Sequence, residues 1–274
     1  MEVKIIKDSV NSLDQRITTI EATYPRFIHS QVLTHRMFSR NSSSSRAIPT
    51  LKVIQSIINN PINPFFGKNK PGMQAEGEVE NVDEVINIWN ESKENALTSA
   101  RQLLDFNLHK QLLNRILEPY SNITTIITAT DWDNFLQLRL HETSQPEIQE
   151  LAVNIKHLLD NSNPYERTVH LPYIDEWDSR NSTEEDNIKV SVARCARVSY
   201  LNHDGTTSSK ENDFKLYNKL LELKHLSPFE HIAFDPYKTD RKKGYTHLHL
   251  KTNKMYSGNF KQWIQYRQLL EKRV

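Results

Sequence analysis

Segments with helical periodicity alternate with short β-branched segments in this chain, and this alternation most constrains the fold. Apolar residues recur at helical spacing through residues 82–117 and again through residues 134–159, with a break near Pro146. Residues 123–128 are all β-branched, which favours an extended strand, and residues 3–6 are a second strand candidate. We therefore predict an α+β fold, in which a twisted antiparallel or mixed sheet is flanked by long helices.

Polar residues and prolines predict where other elements begin and end. Thr23 could cap a helix whose first turn contains Pro25, and that helix should end at the serine-rich residues 39–45. Near the C-terminus, an alternating segment at residues 247–251 precedes a predicted helix over residues 260–270.

Only six of the 274 residues are glycine, which limits how the chain could bind a phosphate. No three glycines form the pattern G-x-G-x-x-G, and no pair belongs to G-x-x-x-x-G-K-[ST], so both common backbone cradles for phosphate are absent. Side chains would have to hold a nucleotide. Arginine suits this task because its planar guanidinium can donate two hydrogen bonds to one phosphate.

The charge balance and the cysteine count exclude several classes of protein. The chain has 35 Lys and Arg residues against 34 Asp and Glu, so its net charge of +1 gives no argument for bulk electrostatic binding to nucleic acid or to an acidic membrane. The single Cys195 excludes an internal disulfide and a cysteine-rich metal site, and is expected to be a small buried residue. No apolar run approaches the ~20 residues of a membrane span, and no apolar signal core follows the first residues. We expect a soluble, cytoplasmic protein.

The most unusual segment is residues 34–46, which contains three arginines, a histidine, an asparagine and five serines. Guanidinium, amide and hydroxyl groups are donors that suit a phosphate and the edge of a pyrimidine. A polar cluster between periodic segments is also typical of a solvated loop. Composition leaves both interpretations open.

The spacing within this segment favours a binding site. The pattern H-R-x-x-S-x-N-x-x-S-x-R, at His35, Arg36, Ser39, Asn41, Ser44 and Arg46, resembles the signature of the flavin-dependent thymidylate synthases. Arg26 and Gln31 also stand where that family has Arg and Gln. Five further segments are similar to motifs of the same family, namely N-R-I-L-E-P at 114–119 (A-R-x-x-L-P in the family), N-F-L-Q-L-R at 134–139 (h-F-x-x-L-R), S-Q-P-E-I at 144–148 (A-Q-x-E-I), A-R-V-S-Y at 196–200 and H-L-S-P-F-E-H at 225–231 (H-x-[ST]-P-F-E-H).

The order of these motifs differs from that in the family, where A-R-V-S-Y and H-x-S-P-F-E-H come first. Here they come last, after a polar segment at residues 160–189. The chain therefore resembles a circularly permuted or divergent member, and permutation is physically plausible where termini lie close together and an exposed loop is cut. We predict a single catalytic domain over residues 1–274, in which residues 160–189 form a linker or excursion between a first half (1–159) and a second half (190–274).

The resemblance implies a reaction and its cofactors. Enzymes of this family convert dUMP to dTMP; 5,10-methylenetetrahydrofolate gives the carbon, FAD shuttles it with the reducing equivalents, and NADPH re-reduces the flavin. No enzyme cysteine attacks the pyrimidine, which is compatible with the single Cys195. The resemblance also implies a homotetramer with active sites between subunits. A permuted, divergent member would fit a virus-encoded enzyme acting in the host cytoplasm.

The resemblance further implies roles for individual residues. Catalytic roles fall on Ser44, Arg46 and Arg139. Binding of the nucleotide substrate falls on Gln31, Ser44, Ser45, Arg46, Arg115 and Arg139. Cofactor binding falls on His35, Arg36, Asn41, Ser199, His225, Ser227 and Glu230. The segment 257–267 matches no family motif, and is expected either to complete the sheet or to supply Gln265 and Arg267 to the site.

Three departures from the family pattern leave a related reaction open. Thr34 replaces the first arginine of R-H-R, Ser42 replaces a Gln or Glu, and Thr128–Thr130 replaces N-A-R, so that a flavin-contacting arginine is missing there. One alternative is therefore another flavin-dependent C5 modification, such as hydroxymethylation, of dUMP or dCMP.

An alternative of another class is a nucleic-acid-binding protein that uses Arg36, Arg40 and Arg46, although the net charge of +1 argues against it. No metal site is predicted. The pair His225/His231 has no third ligand nearby, and a zinc site needs three or four. The pair His247/His249 on a strand could also bind a metal, but such a pair is more typical of a half-exposed surface.

Overall fold

The computed structural model describes residues 1–199, 208–237 and 257–271, and it confirms the α+β class. The strands are β1 (Glu2–Val10), β2 (Arg16–Pro25), β3 (Ser39–Ser42), β4 (Asn122–Ala129), β5 (Tyr165–Glu166), β6 (Val169–His170), β7 (Ala233–Phe234) and β8 (Ile264–Gln265). The helices are α1 (His29–Leu33), α2 (Thr50–Asn59), α3 (Val82–Asp105), α4 (Lys110–Leu113), α5 (Asp133–Arg139), α6 (Pro146–Asn161), α7 (Glu176–Asn181), α8 (Glu184–Ala196), α9 (Lys210–Glu222) and α10 (Tyr266–Glu271). Short 3-10 segments lie at Arg26–Ile28, Asn114–Tyr120, Arg197–Ser199 and Ser227–His231.

The larger sheet is mixed, with the strand order β3-β4-β2-β1-β5. Its neighbouring strands are antiparallel except for β1 and β5, which are parallel. The β-branched segment at 123–128 lies within β4 and pairs with β2 along the whole length of β4. A smaller antiparallel sheet has the order β6-β7-β8.

The prediction that a helix begins near Thr23 is wrong. Strand β2 continues through Pro25, which pairs with Asn122. The Thr23 hydroxyl shares a 2.9 Å hydrogen bond with the Thr124 hydroxyl across the strands instead of capping a helix, and α1 begins only at His29. A cross-strand partner has displaced the local capping interaction.

The two faces of the larger sheet pack against different parts of the chain. On one face, Ile20, Ala22 and Tyr24 of β2 join a core that also contains buried residues of α5 and α6. On the other face, Ile17 packs with Trp263 of the C-terminal segment. Because side chains alternate along a strand, one strand can serve both layers.

Residues 160–189 contribute several of these elements. Strand β5 pairs with β1 of the first half, β6 pairs with β7 of the second half, and α8 already begins at Glu184. The buried residues of α8, α9, α10 and β7 form a second core. The predicted helix over residues 260–270 begins later, at Tyr266, because residues 264–265 pair with β7 as strand β8. The alternating segment at 247–251 lies outside the described residues.

Helices α2, α3 and α4 form a third apolar cluster with the 3-10 segment at Asn114–Tyr120. Within the residues that the structure describes, no helix is both long enough and apolar enough to cross a membrane.

Candidate functional site

Asn41 joins the two halves of the chain at the centre of the candidate site. Its side-chain Nδ2 donates to the backbone carbonyl of Cys195, at 3.0 Å, at the end of α8. Its Oδ1 accepts a hydrogen bond from the Ser227 hydroxyl at 3.3 Å. Two segments that resemble family motifs, and the residue just before a third, therefore meet at one amide, although Asn41 and Ser227 stand 186 residues apart in sequence.

The C-terminal segment closes this region from a second side. Gln265 Nε2 lies 3.0 Å from the Ser39 hydroxyl and 2.9 Å from Asn259 Oδ1, and it also points to the Glu230 carbonyl. The Glu230 carboxylate forms an ion pair with Arg267. Sequence reasoning named Gln265 and Arg267 but missed Asn259, for which no motif gave a signal.

Gly258 leaves room for Gln265 in this arrangement. A Cβ atom at residue 258 would lie 2.4 Å from the side-chain oxygen of Gln265, and the backbone there has φ of +60°. A glycine is the residue that tolerates both conditions.

A buried chain of hydrogen bonds supports the turn at Ser227–His231 from below. The His231 Nδ1 bonds to the Thr128 hydroxyl, which bonds to Thr19, and Thr19 bonds to His170, which reaches Ser9. All five side chains are fully buried. Burial lowers the pKa of His231 to about 3 and also lowers the pKa of His170 well below its ordinary value, so the two histidines of this hydrogen-bonded series are neutral near pH 7. His231 Nε2 has no hydrogen-bond partner among the described residues.

Arg139 forms hydrogen bonds to two other predicted site residues of the first half, His35 and Gln31. It ends α5, and its Nε donates to His35 Nε2 at 3.0 Å. Its two terminal nitrogens lie 3.4 Å from Gln31 Oε1 and 3.3 Å from the Thr34 hydroxyl. Gln31 in turn donates to Gln145, which lines a cleft of about 610 Å³. That volume lies within the usual range of ligand pockets.

The electrostatics of this cluster keep His35 neutral. Burial lowers the pKa of His35 to about 4, and the charges of Arg139 and Arg40 add to the effect. A guanidinium can only donate, so the His35 Nε2 that faces Arg139 carries the lone pair and the proton sits on Nδ1. Arg40 itself donates to the carbonyl of Val32 at 3.1 Å.

The serine-rich residues 39–45 are divided between strand β3 (Ser39–Ser42) and a loop over residues 43–49 that leads to α2, which we call the serine loop. Ser44 is half-buried, Ser45 is buried and Arg46 is exposed. Asn114 donates from one Nδ2 atom to the carbonyls of Ser45, at 2.7 Å, and of Ile48, at 3.0 Å. The motif at 114–119 therefore lies directly beneath the loop.

Arg115 lies on the same 3-10 segment and is exposed. It pairs with Glu118 at 2.9 Å, and Glu118 also pairs with Arg26 at 2.9 Å. The Glu118 carboxylate thus forms ion pairs with both arginines. Each guanidinium also has N–H donors that these ion pairs do not use.

The structure does not bring every predicted residue into these contacts. Arg36 and His225 are exposed, and Ser199 is the last residue of the 3-10 segment Arg197–Ser199. His225 is exposed while His231 is fully buried. Over residues 1–199, 208–237 and 257–271, no group of three or more His, Cys, Asp or Glu residues could hold a metal ion. His247 and His249 lie outside the described residues.

Cys195 is fully buried, as expected from its sequence context. Burial raises the pKa of its thiol well above the ordinary value. The thiolate form, which is the nucleophile, is therefore disfavoured at this position.

A match to one family model agrees with the motifs. The family model described as thymidylate synthase complementing protein matches residues 11–165. Similar solved structures include a UMP/dUMP methylase, PolB from Streptomyces cacaoi, bound with 5-Br UMP; it is 16% identical with a TM-score of 0.46, over 58% of this chain and 87% of that chain. They also include the flavin dependent thymidylate synthase ThyX from Helicobacter pylori complexed with FAD and dUMP, which is 21% identical with a TM-score of 0.36, over 52% of this chain and 67% of that one. No curated protein sequence matches the chain.

Proposed function

From the family match we propose that the chain converts dUMP to dTMP. The chain belongs to the thymidylate synthase complementing protein family, which is the family of the flavin-dependent thymidylate synthases. In this proposal 5,10-methylenetetrahydrofolate donates the carbon, NADPH is the reductant and FAD is the bound cofactor. The observation that carries the proposal is the convergence of Asn41, Ser227 and the Cys195 carbonyl. Residues far apart in the sequence meet at one place, which supports a shared binding site.

The polar groups around Asn41 fit a flavin cofactor. A flavin ring presents alternating donors and acceptors along one edge, and FAD also carries a diphosphate. Asn41 offers an amide, Ser227 a hydroxyl and Glu230 a carboxylate, and the exposed guanidinium of Arg36 suits the diphosphate. When bound, FAD would supply the transfer of the carbon and of reducing equivalents.

The serine loop and its arginines suit a nucleotide. The exposed Arg46 guanidinium and the hydroxyl of half-buried Ser44 would bind the phosphate dianion, with Ser45 donating from its backbone. Arg115 has donors beyond its pair with Glu118, and it would bind from the neighbouring 3-10 segment. Arg139 and Gln31 would position the pyrimidine, while neutral His35 holds Arg139 in place through its Nε2 lone pair.

Burial of Cys195 supports the flavin route. An enzyme that attacks the pyrimidine through a cysteine needs an accessible thiol of low pKa. The single cysteine of this chain has the opposite properties. A reaction that uses no enzyme nucleophile is consistent with that.

A second candidate keeps the flavin and changes the product. The departures Thr34 and Ser42 both take part in hydrogen bonds near the site: Thr34 accepts from Arg139, and the Ser42 and Thr125 hydroxyls are 2.9 Å apart. Thr34 bonds to Arg139, which we propose to bind the nucleotide, so a change at residue 34 could alter how the pyrimidine is held. The second candidate is therefore another C5 modification, such as hydroxymethylation, of dUMP or dCMP.

One assay tests the proposed function and separates the two candidates. Purified protein is expected to be yellow and to release FAD on denaturation. Incubation with dUMP or dCMP, methylenetetrahydrofolate and NADPH, followed by mass analysis, is expected to yield dTMP. A hydroxymethyl product, or turnover of dCMP alone, would favour the second candidate. Colourless protein that FAD does not reconstitute would refute both.

We further propose that the enzyme is a homotetramer of the cytoplasm, or of the host cytoplasm if a virus encodes it. Arg36, Arg46 and Arg115 are exposed in the single chain, which suits a site completed by a second subunit. Light scattering coupled to size-exclusion chromatography is expected to give about four times the mass of the chain, and a monomer that is fully active at assay concentration would contradict this.

A further inference from the structure

We infer that Asn114 is a positioning residue that shapes the serine loop for the substrate phosphate. This inference rests on the proposed function. Asn114 is 1% exposed and is the first residue of the 3-10 segment below the loop. The family motif quoted above has alanine at this position, so the motif does not account for the amide.

Three loop carbonyls point towards the helical segment that contains Asn114. Its Nδ2 lies 2.7 Å from the Ser45 carbonyl and 3.0 Å from the Ile48 carbonyl, and the Lys110 ammonium donates to the Ala47 carbonyl at 2.8 Å. One side-chain amide and one ammonium thus set the orientation of three peptide groups in the loop.

Peptide planarity turns these contacts into an arrangement of donors. In a trans peptide the N–H of each residue points opposite to the carbonyl of the residue before it. The Ser45 carbonyl faces Asn114, so the N–H of Arg46 points away from Asn114. The Ala47 carbonyl faces Lys110, so the N–H of Ile48 also points away. Neither N–H has a hydrogen-bond partner among the described residues.

The outward N–H groups belong to the same loop as the Ser44 hydroxyl and the Arg46 guanidinium. The N–H of Ala47, which lies between them, donates to the Ser44 carbonyl at 2.9 Å, so the N–H groups of Arg46 and Ile48 are the two backbone donors that the loop offers to an anion, and the Arg46 guanidinium adds charge beside them. Asn114 therefore acts through the loop and has no contact of its own with the phosphate. Without its two hydrogen bonds the loop peptides are free to rotate, and their donors no longer converge.

The phosphate dependence of binding distinguishes this role from a general structural one. In FAD-loaded protein, Asn114→Ala is expected to weaken dUMP binding about tenfold, as measured by isothermal titration calorimetry. The reason is that at least one hydrogen bond from the loop backbone to the charged phosphate is lost. Binding of deoxyuridine, which lacks the phosphate, is expected to stay within about twofold of wild type, as is the affinity for FAD. Asn95→Ala, at an exposed asparagine of α3, is the matched control and should change neither.

A second pair of variants tests the same loop if Asn114→Ala does not fold. Lys110→Met removes the hydrogen bond to Ala47 and is expected to give the same selective loss for dUMP, smaller in size. Lys110→Arg keeps the charge and a donor, and it should restore binding. Equal losses for dUMP and deoxyuridine, or no loss for dUMP, would overturn the inference alone. A wild-type protein that binds dUMP no better than deoxyuridine would overturn the proposed phosphate site and the inference with it.

Discussion

Replacing Gln265 by methionine tests the contact between the C-terminal segment and the candidate site. Gln265 is 2% exposed, and its Nε2 lies within 3.3 Å of three acceptors, on Ser39, Asn259 and Glu230. An amide nitrogen carries two hydrogens, so two full hydrogen bonds are the most it can donate. Methionine keeps the length and approximate volume of glutamine and removes both donors.

The expected cost follows from these contacts. Two neutral hydrogen bonds contribute about 1–3 kcal/mol together. Asn259 is half-buried and its Oδ1 keeps the hydrogen bond from the Ser39 hydroxyl, at 3.1 Å, so no acceptor is left without a donor there and about 1–3 kcal/mol is expected as the loss in the free energy of unfolding. For a chain of this size each kcal/mol lowers Tm by about 2–4 °C, which gives a fall of roughly 2–12 °C.

Thermal and urea unfolding of FAD-loaded protein, followed by circular dichroism, measure this loss. The matched control is Gln137→Met, at an exposed position of α5, where a change of less than about 0.5 kcal/mol is expected. A loss at Gln265 no larger than that of the control would refute the reasoning that this segment is held to β3 by a buried amide. A double-mutant cycle with Ser39→Ala should also show a coupling energy of about 1 kcal/mol, because the two side chains are in contact.

Three further changes test other parts of the site. Arg46→Ala is expected to raise KM for dUMP at least about tenfold, because a charged contact with the phosphate is lost. Arg101→Ala, on an exposed face of α3, is the control. An unchanged KM in Arg46→Ala would refute the phosphate role. Cys195→Ala is expected to keep kcat within about threefold, since its thiol is buried, and a loss beyond about a hundredfold would contradict a flavin route without an enzyme nucleophile. The free energy of unfolding is expected to fall as the pH drops from 6.5 to about 4, because the pKa of His35 is lowered to about 4 and the unfolded chain binds more protons in that window. Urea midpoints across the window measure this slope. Burial also lowers the pKa of His29, to about 4, and those of His170 and His231, so His35→Gln should reduce the slope without abolishing it, and an unchanged slope in that variant would contradict the neutral His35.

Much of the secondary structure follows from local patterns. The β-branched run at 123–128 lies within β4, and the break predicted near Pro146 is the start of α6, where proline suits the first turn. The error at Thr23 has a tertiary cause. A threonine hydroxyl can cap a helix or bond across a sheet, and the partner that decides between them, Thr124, lies 101 residues away.

The candidate site was predictable in its residue types and only partly in its contacts. Motif spacing identified Asn41, Ser227 and Arg139 as candidates. It did not show that Arg139 bonds to His35, or that Glu118 pairs with both Arg26 and Arg115. It also gave no role to Asn114, because its function depends on where the carbonyls of a distant loop point.

The sequence by itself determined many of the local elements, the absence of the two common glycine-rich phosphate cradles, and the set of residues that resemble one family. Only the tertiary structure decided which of them meet. The two faces of β2 and β4 bury different layers, and Ser227 of the second half lies against Asn41 of β3 although 186 residues separate them in sequence. Such contacts depend on the packing of whole sheet faces, which no local pattern in the sequence encodes.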